Sequence, residues 1–182
     1  MLAATAQEQM RLGTSDPDPA AVRLRAPGVG DAAALWTLAR QAGGLDVHAP
    51  YAYVLLCHAF AGTCAVAEGP EGAVGFLTAF RLPDESSCLF VWQVAVLPAR
   101  RRQGWAGRML RHVLARPGCA DIRCVEATVT PGNCASRALF AGLAAELGAP
   151  LRTEEGFPRS LFPGGRHEPE SRIRVGPWTP RS

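Results

Sequence analysis

Apolar and charged residues alternate at the first ordered-looking segment, where Val22 and Leu24 interleave with Arg23 and Arg25, a period of two that predicts a short strand. The pattern then lengthens. Asp31 precedes A-A-A-L-W-T-L-A-R-Q-A, a helix with Asp31 as its N-cap, stopped by Gly43-Gly44. After the loop L-D-V-H-A-P, Pro50 opens a second helix from about Tyr51 to Phe60. Thr63 to Glu68 and Ala73 to Arg81 are apolar strands joined by G-P-E-G, a tight hairpin turn. Cys88 to Leu97 is apolar almost throughout, as a strand central to a sheet must be. Beyond an arginine-rich turn, a helix runs from about Gly104 to Arg116. Its apolar Trp105, Met109, Leu110, Val113 and Leu114 share one face, with Arg108 and Arg111 off it. Arg123 to Val129 predicts the next strand, and Asn133 to Leu147 a helix. Leu151 to Phe157 and Ser171 to Val175 are final strands around the loop F-P-G-G-R-H-E-P-E. The order predicts one α/β domain over residues 21–176, with tails at 1–20 and 177–182.

The composition, 48% hydrophobic and 19% charged over 182 residues, is that of a globular chain. All 19 basic residues are arginine. Without lysine there is no Schiff-base chemistry, no pyridoxal phosphate aldimine and no P-loop lysine. Net charge is only +3, yet seven arginines stand between Arg100 and Arg123 against one acid, Asp121. Such a patch suits a polyanionic ligand or a solvated helix face. Nucleic acid is the weaker partner, because no aromatic stacking platform accompanies the arginines. The six cysteines show no C-x-x-C spacing, and Cys57, Cys64, Cys88 and Cys124 lie in apolar runs, so free buried thiols are expected. No signal peptide and no membrane span is expected; the chain reads as reduced and cytoplasmic.

The chemistry centres on Arg101-Arg102-Gln103-Gly104-Trp105-Ala106, an R-x-x-G-x-A run between the central strand and its helix. A strand feeding a helix in this way aims backbone N–H groups at one point, and Gly104 and Ala106 let a phosphate approach closely. After the next strand comes N-C-A-S-R-A-L-F from Asn133 to Phe140. Taken together, this succession resembles the GCN5-related N-acetyltransferase (GNAT) superfamily. The resemblance implies a mixed central sheet splayed between two parallel strands, flanked by helices, with acetyl-CoA in the gap and no metal. Transferred residue by residue, the backbone of Val94, Ala95 and Val96 would hold the pantetheine and acetyl group. Arg101, Arg102, Gln103, Gly104, Trp105, Ala106 and Gly107 would hold the pyrophosphate. Asn133 would bond the cofactor arm, and Phe140 stands where many members place a tyrosine that protonates the thiolate.

Leu45 to Cys57, Leu89 to Val96 and H-E-P-E at His167 to Glu170 narrow the resemblance to the diaminobutyrate acetyltransferases of ectoine biosynthesis, a pathway of osmotic-stress adaptation. This implies acetylation of the γ-amine of L-2,4-diaminobutyrate by a homodimer. The acceptor positions become Asp46, Tyr51, Trp92 and Glu168, with Glu170 as a further acidic residue and His48 where that branch more often has asparagine. Carboxylates anchor ammonium groups and an indole offers them a flat face. Each also has a plain structural reading: Asp46 as a helix cap, Trp92 as sheet core, Glu168 as a solvated loop charge. The amine must shed a proton before attack, and Asp46, Glu168 and Glu126 are the candidate bases. The rival readings are a GNAT enzyme for another diamine or basic amino acid, or a non-catalytic acyl-CoA-binding regulator.

Overall fold

The computed structural model describes residues 22–165 and 167–179; the expected tail at 1–20 lies outside them. Seven strands form one sheet in the order β1-β2-β3-β4-β5-β7-β6. They are β1 Arg23–Arg25, β2 Ala65–Gly69, β3 Gly72–Leu82, β4 Glu85–Val96, β5 Cys124–Val129, β6 Leu151–Phe157 and β7 Glu170–Val175. All neighbours run antiparallel except β4 and β5, which are parallel. Four helices cover the two faces: α1 Ala32–Ala42, α2 Pro50–Ala59, α3 Trp105–Leu114 and α4 Cys134–Leu147. Every expected element is present, and β4 is central as its apolar run requires.

Two apolar layers result, one on each side of the sheet. The apolar face of α3, Trp105, Met109, Leu110 and Val113, joins Phe140 and Leu143 of α4 over Leu77, Leu89, Val91 and Val125. On the other side Leu35, Leu38 and Ala39 of α1 join Tyr53 and Cys57 of α2 over Val66, Phe76 and Ala95. The expected α1 cap differs. A 3-10 turn at Val29–Asp31 runs directly into α1, so Asp31 does not cap it. Its carboxylate accepts instead from the Gly28 N–H at 2.7 Å and pairs with Arg25, which also holds Glu68.

The splay has a visible local cause. β4 pairs with β5 only at Cys88, Leu89 and Phe90, opposite Cys124, Val125 and Glu126. Two residues later the β3–β4 register jumps from Ala79↔Val91 to Thr78↔Gln93, leaving Trp92 as an extra residue. Such a bulge bends its strand, and beyond it β4 and β5 part. The same register corrects the expectation of free thiols at two positions. Cys88 and Cys124 lie directly opposite, Cα–Cα 4.6 Å, and are joined as a disulfide, while Cys57, Cys64, Cys119 and Cys134 are free.

Candidate active site

The gap between the parted strands is a cleft of about 1040 Å³. One wall is Val94, Ala95 and Val96 of β4; another is the turn Arg100–Arg102 with Gly104–Gly107 at the start of α3; a third is Asn133 and the first turns of α4. Arg102 and Gly104 both have positive φ, 62° and 76°, which folds the turn sharply ahead of α3. The first N–H groups of a helix lack intrahelical partners, and the helix dipole adds to their pull on an anion. Asn133 caps α4, its side-chain oxygen accepting the Ser136 N–H at 3.0 Å, which leaves its carboxamide nitrogen as the donor it can offer the cleft.

Ten of the twelve expected cofactor positions line this cleft: Val94, Ala95, Val96, Arg101, Arg102, Gly104, Trp105, Ala106, Gly107 and Asn133. Trp105 does so through its backbone end, since its ring is buried in the core with the Arg108 guanidinium 3.9 Å above it. Arg101 is tied to protein carbonyls, donating to Val96 at 3.3 Å and to Ala42. Gln103 and Phe140 lie off the cleft. The Gln103 side-chain oxygen accepts the Trp105 indole N–H at 3.0 Å, because its neighbour's buried indole needs an acceptor. Phe140 is 2% exposed and packs in the core, the inward face of α4 carrying it there.

Of the expected acceptor positions Glu168 lines the cleft, as does Leu45 beside Asp46. Asp46, next to Leu45, reaches His167, next to Glu168: Oδ2 to Nε2 is 2.8 Å. The other ring nitrogen of His167 lies 2.6 Å from the Glu168 carbonyl oxygen. A carboxylate and a carbonyl only accept, so His167 satisfies both only as an imidazolium. Its pKa is accordingly raised above the ordinary value, by the Glu168 carbonyl first and Asp46 second. Phe162 stacks on the imidazole at 3.9 Å, and Glu170 Oε1 stands 3.7 Å from Nε2. Trp92, projected by the bulge, meets His48 with ring centroids 4.4 Å apart. Tyr51 is exposed on the outer side of α2.

Glu126 is not part of this group. It is buried, and its carboxylate accepts from Arg174 at 3.2 Å; Arg174 also binds Glu85. Glu126 stands opposite Phe90 in the last ladder pair, where β4 and β5 begin to part, but its carboxylate is taken by Arg174 and it is not among the residues that line the cleft. Glu85, Cys88 and Cys124 bring one oxygen and two sulfurs within 4.8 Å of one another, but the sulfurs are bonded together and the carboxylate is bound to Arg174. Sequence reasoning passed over His167, although it adjoins the glutamate chosen from H-E-P-E, and over Gln93, hidden in an apolar run. Among the described residues no helix is long and apolar enough to cross a membrane.

Residues 32–144 match the model of the acetyltransferase (GNAT) family. The L-2,4-diaminobutyric acid acetyltransferase of Halalkalibacterium halodurans is 42% identical over 159 residues, 87% of this chain and 84% of that one. Its counterpart from Bordetella parapertussis is 45% identical over 157 residues, 86% and 84% of the two chains. Among solved structures, diaminobutyrate acetyltransferase EctA from Paenibacillus lautus, in complex with L-2,4-diaminobutyric acid and coenzyme A, superposes with a TM-score of 0.84. It is 41% identical, covering 88% of this chain and 98% of that one. Ard1 from Thermoplasma volcanium, at 13% identity and a TM-score of 0.68 over 86% and 98%, shares the fold.

Proposed function

This chain belongs to the GNAT acetyltransferase family and, within it, to the L-2,4-diaminobutyric acid acetyltransferases, and from that premise we propose how its two adjoining sites act. The enzyme transfers the acetyl group of acetyl-CoA to the γ-amine of L-2,4-diaminobutyrate. The single observation that carries this assignment of residues is the adjacency of the sites. Leu45 and Glu168 line the cofactor cleft while their neighbours Asp46 and His167 bond to each other at its mouth.

The cleft fits coenzyme A. Its length, its arginines and the free N–H groups of the first turn of α3 suit a long anionic molecule, and the bound thioester supplies the acetyl group. Asp46 holds an ammonium of the acceptor and Trp92 packs against its carbon chain. Glu168 takes the proton that the γ-amine must lose, directly or through a water. The nitrogen then adds to the thioester carbon, the C–N bond forms and the C–S bond breaks. Phe140 has no hydroxyl and is buried, so the second proton, shed by the nitrogen as it becomes an amide, passes through water to the departing thiolate. We place the reaction in ectoine biosynthesis and in the cytoplasm, where acetyl-CoA is available.

A second copy of the chain fits the outer edge of the sheet. β6 is the edge strand, and all but Gly156 of its seven residues are exposed. Antiparallel self-pairing about Thr153 would set Arg152 opposite Glu154 of the partner subunit. Light scattering is expected to give twice the chain mass of 19.3 kDa; a monomer mass would remove the dimer. The activity is tested by mixing the protein and acetyl-CoA with diaminobutyrate, ornithine, lysine or putrescine and following thiol release. Diaminobutyrate should turn over with the highest kcat/KM, and preference for another amine would overturn the acceptor assignment.

A further inference from the structure

The loop that carries Asp46, residues 43–49, is neither helix nor strand, and it begins with two glycines at positive φ, 65° and 72°. Its own backbone supplies little to hold a carboxylate in register with a reacting amine. Two buried polar side chains hold it from below. Gln93 of β4 donates from its amide nitrogen to the Asp46 carbonyl at 2.8 Å. Tyr53 of α2 donates its hydroxyl to the Gln93 side-chain oxygen at 3.1 Å. Gln93 is 5% exposed and Tyr53 is 1% exposed.

The setting makes this pair informative. Tyr53 sits in the apolar layer with Phe76 and Ala95, and Gln93 lies beside Ala95's strand neighbours on β4. A polar pair at such depth stabilises no better than apolar groups of the same shape, and costs more if either bond is lost. Its distinct product is geometric: it fixes the backbone at Asp46, one of the acceptor positions. The bulge contributes as well. By inserting Trp92 it lets consecutive residues of β4 both meet the loop, Trp92 at His48 and Gln93 at Asp46.

We infer that Gln93 and Tyr53 are positioning residues for the acceptor, acting through the backbone of Asp46 rather than by touching substrate. The inference rests on the reading of Asp46 as an acceptor anchor, and the test separates the two. Gln93→Met keeps length and loses both bonds; Tyr53→Phe loses only the hydroxyl. Gln93→Met should raise KM for diaminobutyrate roughly ten-fold, the scale of one lost buried hydrogen bond, with kcat and KM for acetyl-CoA unchanged. Tyr53→Phe should shift the same constant less. The double variant should be no worse than Gln93→Met, because both act along one path.

Gln93→Glu supplies a readout that a merely structural role would not move. A neutral glutamic acid can still donate to the Asp46 carbonyl, whereas the ionised form only accepts, and burial favours the neutral form. Its diaminobutyrate KM, taken relative to the unsubstituted enzyme at each pH, should stay near one at low pH and climb as pH rises. Asp46→Asn serves as the reference. If Asp46→Asn raises the acceptor KM and Gln93→Met does not, the positioning role is overturned while the acceptor site stands. A rise in both substrates' KM with Gln93→Met, alongside a lowered Tm, overturns it too. An acceptor KM unmoved by Asp46→Asn overturns the anchor, and the inference with it.

Discussion

His167 contacts two groups that only accept, the Asp46 carboxylate and the Glu168 carbonyl, and a neutral imidazole carries one N–H. The imidazolium is therefore the form this geometry holds. In an NMR titration the His167 midpoint should lie above the ordinary 6.5. Asp46→Asn should lower it without restoring the ordinary value, because the Glu168 carbonyl, the larger cause, remains. The sign for stability follows from a raised folded pKa. The pair's contribution is fully present below pH 6.5, and it is lost as pH rises through the folded midpoint. His167→Gln should thus narrow its stability deficit as the solution becomes alkaline, checked by urea unfolding at several pH values. The motif H-E-P-E was visible in the sequence for its glutamates. The histidine was not, because its meaning is a 2.8 Å contact with a residue 121 positions away.

At the scale of elements, the β6–β7 hairpin depends on one glycine. The register passes from Glu155↔Ser171 to Phe157↔Glu170, leaving Gly156 in a bulge. A Cβ there would stand 2.5 Å from the Glu170 carbonyl oxygen and 2.9 Å from the Arg172 nitrogen, both backbone atoms. Gly156→Ala should cost about 1–3 kcal/mol, as overpacking does, measured by denaturant unfolding. It should also displace the start of β7, where Glu170 stands, and raise the diaminobutyrate KM more than the acetyl-CoA KM. The element order was legible within about three residues at each boundary, since periodicity and Gly/Pro stops are local signals. The bulges at Trp92 and Gly156 were not, and neither was the disulfide. Each is a relation between two strands, and L-F-V-W-Q-V-A-V reads as a plain apolar central strand until its partner's register is known. The Asp31 cap failed for a similar reason: Arg25 and the Gly28 N–H, both outside α1, take the carboxylate that a helix-end signal assigns to the helix.

Across the whole molecule the arginine cluster divides its labour in a way that composition conceals. Of the seven from Arg100 to Arg123, only Arg100, Arg101, Arg102 and Arg111 line the cleft. Arg108 lies over Trp105, Arg116 donates to the carbonyls of Ala61, Gly62 and Cys64, and Arg123 donates to those of Ala120 and Ile122. Arg111 also pairs with Glu146. The field at the cofactor is therefore that of a few partly exposed charges beside a helix N-terminus, and such charges are screened by salt. Raising ionic strength from 0.1 to 1 M shortens the screening length from about 10 Å to about 3 Å. The acetyl-CoA KM should rise several-fold over that range, and Arg102→Ala should flatten the slope. A short acetyl thioester without phosphates should show almost no such dependence on the same enzyme, because it presents nothing for these arginines to attract. Equal salt slopes for the two donors would mean that the arginines of the turn stabilise the fold around α3 and leave phosphate binding to the backbone N–H groups.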